Sequence, residues 1–313
     1  MSTYLVTGGA GFIGSNIAEE LVRRGEETIV LDDLSTGNER NMESFRSKIT
    51  FIHGDIRDAR TVRTAVDGVD YVLHQAALAS VPRSIEDPLL VNDVNVGGTL
   101  VVLEEARRAD VKRLVYAASS SAYGDSEVMP KTEEMTPRPL SPYAVSKLAA
   151  EHYCAVYSHV YGLPTISIRY FNVFGPRQDP KSQYAAVIPI FVTSLLRGER
   201  PTIFGDGEQS RDFTFVENVV SANLLAAGCA AAAGQMVNVA CGEKATLNEL
   251  YARLNELIGA GIEPIYDDPR PGDVKHSLAD IARARDLLGY DPLVSFEEGI
   301  EKTVAWYRSR ERS

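Results

Sequence analysis

The chain has 313 residues, 44% of them hydrophobic and 24% charged, which is the composition of an ordinary globular protein able to bury a large core. Its formal net charge of -11 excludes a broad basic surface for nucleic acid or for an anionic membrane, so a polyanionic ligand has to meet a focused cationic site. Cys154, Cys229 and Cys241 lie far apart without CxxC spacing, which indicates neither a metal cluster nor a disulfide framework and fits a reducing cytoplasm.

An apolar run starting at Tyr4 opens the fold almost at once and leaves no room for a signal peptide. Short apolar runs at 4–7, 28–31, 49–53, 71–75, 113–118 and 165–170 predict buried strands, and 14–24, 59–66, 88–109 and 142–161 carry helical periodicity between them. This alternation predicts right-handed crossovers and an α/β fold with a doubly wound parallel sheet of Rossmann type. Beyond Gly175-Pro176 the alternation weakens. There 247–258 and 296–308 read as separate amphipathic helices of a smaller lobe, and 213–216 and 236–239 as strands returning to the main sheet. The stretch 222–234 reads as a buried helix too short and alanine-rich to span a bilayer.

The first strand runs into Thr7-Gly8-Gly9-Ala10-Gly11-Phe12-Ile13-Gly14. Glycines at 8, 11 and 14 let the backbone turn sharply, admit a pyrophosphate against its N–H groups and pack the next helix close to the sheet. A glycine-rich match alone is weak; this one follows a predicted strand and begins a predicted helix. Asp32 closes the second strand, where a carboxylate accepts hydrogen bonds from a ribose diol and repels a 2′-phosphate, so NAD is favoured over NADP. Neighbouring Asp33 reads better as a capping residue, and Asp55 either contacts adenine or makes a turn with Gly54. Residues 1–176 are therefore expected to form the NAD-binding domain, joined again by 212–241, and 177–313 mainly a substrate-binding lobe.

Ser119, Ser120 and Ser121 follow the strand at 113–118, on the carboxyl edge where open α/β sheets bind ligands. Serines at a strand end are commonly turn formers, and Tyr143-Ala-Val-Ser-Lys147 downstream changes that balance. A phenol and an ammonium four residues apart stand on one helical face, and a fixed positive charge lowers a phenol's pKa from about 10, making a proton acceptor of the tyrosine.

These motifs, with Arg169-Tyr170-Phe171-Asn172 and Arg270-Pro271-Gly272-Asp273, resemble the extended short-chain dehydrogenase/reductase family, and within it the nucleotide-sugar 4-epimerases of the UDP-galactose 4-epimerase type. The resemblance runs essentially end to end. It implies NAD held through the catalytic cycle, a UDP-sugar lying across both lobes, and a homodimer built from the helices at 88–109 and 142–161. Tyr143, Lys147 and Ser119 would carry the chemistry, Ser119 standing four positions before Tyr123 as in the family. Beside the glycines, Phe12, Ile13, Ile56, Ala76, Ala77, Asn95 and Tyr170 would face the cofactor. Arg211 and Arg270 would hold the diphosphate, Asp273 a ribose, and Asn172 the substrate. Ser120, Ser121, Ala79, Ala186, Val187 and Ser277 would line the sugar's surroundings.

In the family the position matching Ser277 borders the sugar's C2 substituent and those matching Ala79 and Ala186 line the same pocket; small residues there would leave room for an N-acetyl group, so UDP-glucose and UDP-GlcNAc both remain open as substrates. A 4,6-dehydratase would need an Asp-Glu pair where Ser120 and Ser121 stand, and a 4-reductase would favour NADP, which Asp32 opposes. A uronic-acid enzyme needs a partner for the sugar carboxylate, for which Arg83 is a candidate. A non-catalytic dinucleotide sensor would have no reason to keep Ser119, Tyr143 and Lys147 together.

Overall fold

The computed structural model describes residues 1–180, 186–269 and 275–311. Seven strands make the main sheet: β1 (Thr3–Thr7), β2 (Glu27–Asp32), β3 (Thr50–His53), β4 (Tyr71–His74), β5 (Arg113–Ser119), β6 (Thr165–Tyr170) and β7 (Gln235–Val239). All neighbours are parallel, in the order β7-β6-β5-β4-β1-β2-β3. The central strands are buried along their whole length, from Arg113 to Ala118 and from Thr165 to Tyr170, because helices cover both faces.

Alternate side chains supply two cores. Val6, Leu73, Val115 and Ile166 pack with Ile17 and Leu21 of the helix Phe12–Arg23 and with Val219 and Ala222 of the helix Val216–Gly228. Leu5, Val72, Leu114 and Tyr116 pack with Val62, Leu103, Ala150 and Cys154 from the helices Ala59–Val66, Thr99–Arg108 and Pro142–Tyr161. A third, aromatic core belongs to the smaller lobe, where Phe174 meets Phe213, Phe215 and Phe296 at ring distances of 6.3, 5.5 and 5.9 Å.

The structure corrects three expectations. Residues 213–216 do not return to the main sheet: Thr214–Phe215 pairs with Val173–Phe174 outside it, and Val216 already begins a helix. The edge of β6 is taken by β7, and Phe213 and Phe215 are drawn instead into the aromatic core. The stretch 222–234 is helical only to Gly228, where Arg113 Nη1 takes the carbonyls of Ala226 and Cys229; a 3₁₀ turn and a bend then lead into β7. The helix at 88–109 is interrupted, with Pro88–Asn92 and Thr99–Arg108 α-helical and Asp93–Gly98 a π-helical turn. A wider turn shifts the side-chain phase, which a reading based on 3.6-residue periodicity misses.

The helix Pro142–Tyr161 is tied to β6 by a buried fork, with Arg169 Nε and Nη2 donating to Glu151 at 2.8 and 2.6 Å beneath the ring of Tyr123. Removing one partner strands the other charge in the core. Glu151→Gln is therefore expected to lower unfolding free energy by about 3 kcal/mol, and the double replacement Glu151→Leu with Arg169→Met by less, in urea denaturation monitored by circular dichroism.

Candidate active site

The order of strands reverses at β1 and β4, so the loops that leave their carboxyl ends diverge and open a cleft of about 270 Å³. Thr7 ends β1, and Gly8 turns the chain at φ +68°, its N–H donating to Leu31 O at 2.8 Å. A Cβ on Gly8 would stand 2.7 Å from Ala76 N, and one on Gly14 would stand 2.2 Å from Gly8 O. Neither position admits a side chain. Gly11 caps the helix Phe12–Arg23 without a side-chain hydrogen bond, so the first N–H groups of the helix stay open to an anion in the cleft.

Asp32 closes β2 with one carboxylate oxygen accepting from Ala10 N at 2.9 Å and the other from Leu34 N at 2.8 Å. Burial pushes its carboxyl above the usual aspartate range, and the lone pairs left over face the cleft. Asp33 also lines the cleft but is exposed, and its carboxylate closes a turn on Ser35 N and Oγ at 2.9 and 2.7 Å. Arg57 forks onto Asp55 and holds that carboxyl below the usual range.

Gly8, Gly11, Phe12, Ile13, Gly14, Asp32, Asp55, Ile56, Ala76, Ala77, Ala79, Tyr143, Lys147 and Tyr170 thus share one cleft. Asn95 does not line it. The π-helical turn points Asn95 inward, where Oδ1 accepts from Leu78 N at 2.8 Å and Nδ2 donates to Leu78 O at 3.2 Å and to Ser146 Oγ at 3.0 Å. Ser146 Oγ in turn donates to Tyr143 O at 2.8 Å, so Asn95 steadies both the cleft wall and the start of the helix that carries Tyr143. Ser141 caps that helix by accepting from Ala144 N at 3.1 Å, and Pro142 occupies its first turn.

Of the three serines at the end of β5, Ser119 is the one whose hydroxyl acts on the Tyr143 phenol, against the rise that burial imposes. Ser121 stands behind it, with its Oγ 2.8 Å from Ser119 Oγ and its N–H donating to Ser119 Oγ at 3.2 Å. Burial raises the Tyr143 phenol above its ordinary value, with the Ser119 bond opposing, and pushes the Lys147 ammonium down to about 7. This departs from the expectation of a phenol lowered by Lys147. In the protein alone desolvation outweighs the contribution of the Ser119 hydroxyl, and Tyr143 stays protonated at neutral pH.

Sequence reading missed His74, which is fully buried and pushed down to about 3 by burial and by the Lys147 charge. Thr99 Oγ1 donates to Asn95 O at 2.6 Å and so accepts from His74 Nε2 at 3.0 Å, which leaves Nδ1 to accept from Thr7 Oγ1 at 2.6 Å. This neutral relay locks the ends of β1 and β4 together beneath the cleft floor. Gln75 was missed as well; it accepts from Tyr170 Oη at 3.1 Å and donates to Asn223 Oδ1 at 3.1 Å. Neither residue belongs to a sequence motif. Each is legible only as a polar group at the carboxyl end of an apolar strand.

A second cavity, of about 480 Å³, brings together Asn172, Ala186, Val187 and Arg211 with Arg200, Phe204 and Gln209. Asn172 adopts φ +25° and donates to Asp212 O at 3.4 Å. Arg211 Nη1 donates to Ser210 O and Lys275 O at 3.0 and 3.2 Å. Ser277 pairs through its N–H with Ser210 O at 3.0 Å and lines neither cavity. Arg270 and Asp273 lie outside the described residues. Among the described residues no cluster of side chains has the makings of a metal site, and no helix is long and apolar enough to cross a membrane.

A family model described as the NAD dependent epimerase/dehydratase family matches residues 4–240. The UDP-glucose 4-epimerase of Mycolicibacterium smegmatis is 42% identical over 310 residues, spanning 98% of both chains. Among solved structures, the UDP-glucose 4-epimerase of Thermotoga maritima with UDP-glucose is similar with a TM-score of 0.94 and 39% identity, over 99% of each chain. The UDP-N-acetylglucosamine 4-epimerase of Methanobrevibacter ruminantium with UDP-N-acetylmuramic acid is similar with a TM-score of 0.94 and 40% identity, over 99% of each chain.

The contacts of the glycine turn generate a direct test. Gly14→Ala has to push its Cβ against Gly8 O, and so should weaken dinucleotide binding more than about tenfold in calorimetric titration, whereas Gly97→Ala, whose Cβ would find its nearest neighbour 3.5 Å away, should bind as wild type.

Proposed function

We propose, from the premise that this chain belongs to the NAD-dependent epimerase/dehydratase family, that it is a UDP-hexose 4-epimerase that interconverts UDP-glucose and UDP-galactose. The observation that carries this reading is the meeting of Tyr143 and Lys147 in the wall of one dinucleotide cleft, with the Ser119 hydroxyl acting on the Tyr143 phenol. The cleft fits NAD through residues of this chain: the Gly8 and Gly14 contacts leave backbone in place of side chains, an uncapped helix terminus suits a pyrophosphate, and Asp32 suits an unphosphorylated ribose. Bound there, NAD supplies the hydride acceptor and donor that C4 of a hexose requires.

In this reading Ser119 and Tyr143 grip the sugar's 4-hydroxyl, and Tyr143 takes its proton as C4 becomes a ketone. Lys147, when protonated, would favour the phenolate against the desolvation that otherwise keeps Tyr143 a phenol. Arg211 holds the diphosphate while the keto sugar turns its other face, and Tyr143 then returns the proton to the oxygen of the inverted carbon. No carboxylate stands at Ser120 or Ser121, which leaves elimination without its acid and base.

Finer assignments belong to the same proposal. The small Ala79 and Ala186, each in the wall of one of the two cavities, support acceptance of UDP-GlcNAc as well. The free Cys154, Cys229 and Cys241 suit the cytoplasm. Ile85, Leu89, Val156 and Val160 are 65, 83, 45 and 61% exposed on the helices Val81–Glu86, Pro88–Asn92 and Pro142–Tyr161, an apolar face suited to a second copy of the chain.

Purified protein incubated with UDP-glucose or UDP-GlcNAc, without added cofactor, should yield the 4-epimer with no net reduction of NAD. A main product of NADH or of a 4-keto-6-deoxy sugar would overturn the assignment. Tyr143→Phe should lower kcat by about 10² to 10⁴ while retaining NAD after gel filtration. Leu89→Glu combined with Val160→Glu should elute as a monomer in light-scattering chromatography where the wild type elutes as a dimer.

A further inference from the structure

Lys147 is buried, yet no carboxylate among the described residues forms an ion pair with it. The acid one turn further along its helix, Glu151, has both oxygens committed to Arg169 at 2.8 and 2.6 Å. What lies against the ammonium is an aromatic face, since Lys147 Nζ stands 4.5 Å from the ring centroid of Tyr116. Tyr116 projects from β5, is 1% exposed, and its hydroxyl donates to the main-chain oxygen of Lys147 at 3.4 Å. The ring of His74 flanks it at 5.8 Å.

We propose that the face of Tyr116 is the seat that keeps the Lys147 ammonium charged and aimed at Tyr143, which makes Tyr116 a positioning residue of the reaction. Burial strips water from the ammonium, and the negative face of an aromatic ring replaces part of that solvation without introducing a counter-charge. The distinction matters chemically. A carboxylate in the same place would hold Lys147 charged but cancel the positive field that Tyr143 needs; a ring holds it charged and leaves the field intact. The other groups around Lys147 fit this division of labour. On its own helix stand Tyr143, Glu151 and Cys154; on β4, His74 is neutral; on β6, Arg169 is neutralised by Glu151; and on β5, Ser119 is uncharged. The π face is what is needed, and the hydroxyl of Tyr116 serves only to orient the ring.

The inference rests on the epimerase reading for its turnover measurement alone. Tyr116→Leu and Tyr116→Phe are compared with wild type as NAD-loaded enzyme, through the pH profile of kcat/KM and through the near-ultraviolet absorbance of the Tyr143 phenolate, taken as the difference from the same protein carrying Tyr143→Phe. In Tyr116→Leu the alkaline limb of the profile, where Lys147 loses its proton, should move down by about one pH unit and the phenolate midpoint should move up by a similar amount. Tyr116→Phe, which keeps the face, should retain both wild-type midpoints. If Tyr116→Leu fails to fold, Tyr116→Met fills the space without a ring and undergoes the same comparison. Wild-type midpoints in the ring-less variant, or equal shifts in the Phe and Leu variants, would overturn the proposal. Absence of epimerisation by the wild type would defeat the functional reading and still leave the phenolate titration to decide this one.

Discussion

A parallel sheet delivers every strand's carboxyl end to the same edge, and where neighbouring strands send their crossovers to opposite faces, that edge must open. In this chain the opening lies between β1 and β4, and the groups of the site are positioned by their distance from it. The glycine turn leaves β1, Asp32 ends β2, Gln75 to Ala79 leave β4, Ser119 ends β5 and Tyr170 ends β6. Sheet register sets these points relative to one another, with Ser119 beside Tyr170 and Thr7 beside His74. The chemistry therefore sits on strand termini and one helix rather than on free loops, which gives it the rigidity that proton transfer over hydrogen-bond distances requires.

The same closure that makes the site rigid also dries it, and desolvation becomes the dominant electrostatic fact. It raises Tyr143, lowers Lys147 to about 7, and lowers His74 to about 3. Each shift favours the neutral form. The fold thus keeps Tyr143 and His74 neutral and leaves Lys147 close to its titration midpoint at neutral pH, and the polar networks around them are arranged to carry no charge of their own. His74 is satisfied by two threonines, Asn95 by a backbone pair and a serine, and Tyr170 by Gln75 and Asn223, all without a charge. Glu151 and Arg169 are charged and buried, but they neutralise each other.

The smaller lobe follows a different logic. Its aromatic core is separate from the two cores of the main sheet, and its cavity is walled by Asn172, Ala186, Val187 and Arg211, which come from segments distant in the chain. Asp212 ties the Arg211 segment to two others, its carboxylate accepting from Cys241 N, Gly242 N and Ala279 N at 3.0, 3.1 and 3.2 Å. A buried carboxylate satisfied by three backbone donors makes a compact junction, and it stands directly beside Arg211.

Much of this was legible from local pattern. Apolar runs broken by helical periodicity specify a doubly wound sheet because both faces of parallel strands have to be buried, and the glycine turn, Asp32 and Tyr143-x-x-x-Lys147 are spacings that a strand-to-helix turn or one helical face converts directly into geometry. Tertiary structure decided what depends on competition between distant groups. Whether 213–216 joined the main sheet depended on β7 reaching the edge of β6 and on Phe213 and Phe215 finding Phe174 and Phe296. Asn95 turned away from the cleft because a π-helical turn altered its phase. Which of three adjacent serines acts on Tyr143 rested on where β5 ends, and the sign of the Tyr143 shift rested on burial outweighing the Ser119 hydroxyl. Local spacing determined which groups were available; long-range packing determined their partners and their protonation, because solvent exclusion is a property of the whole fold and of no single motif.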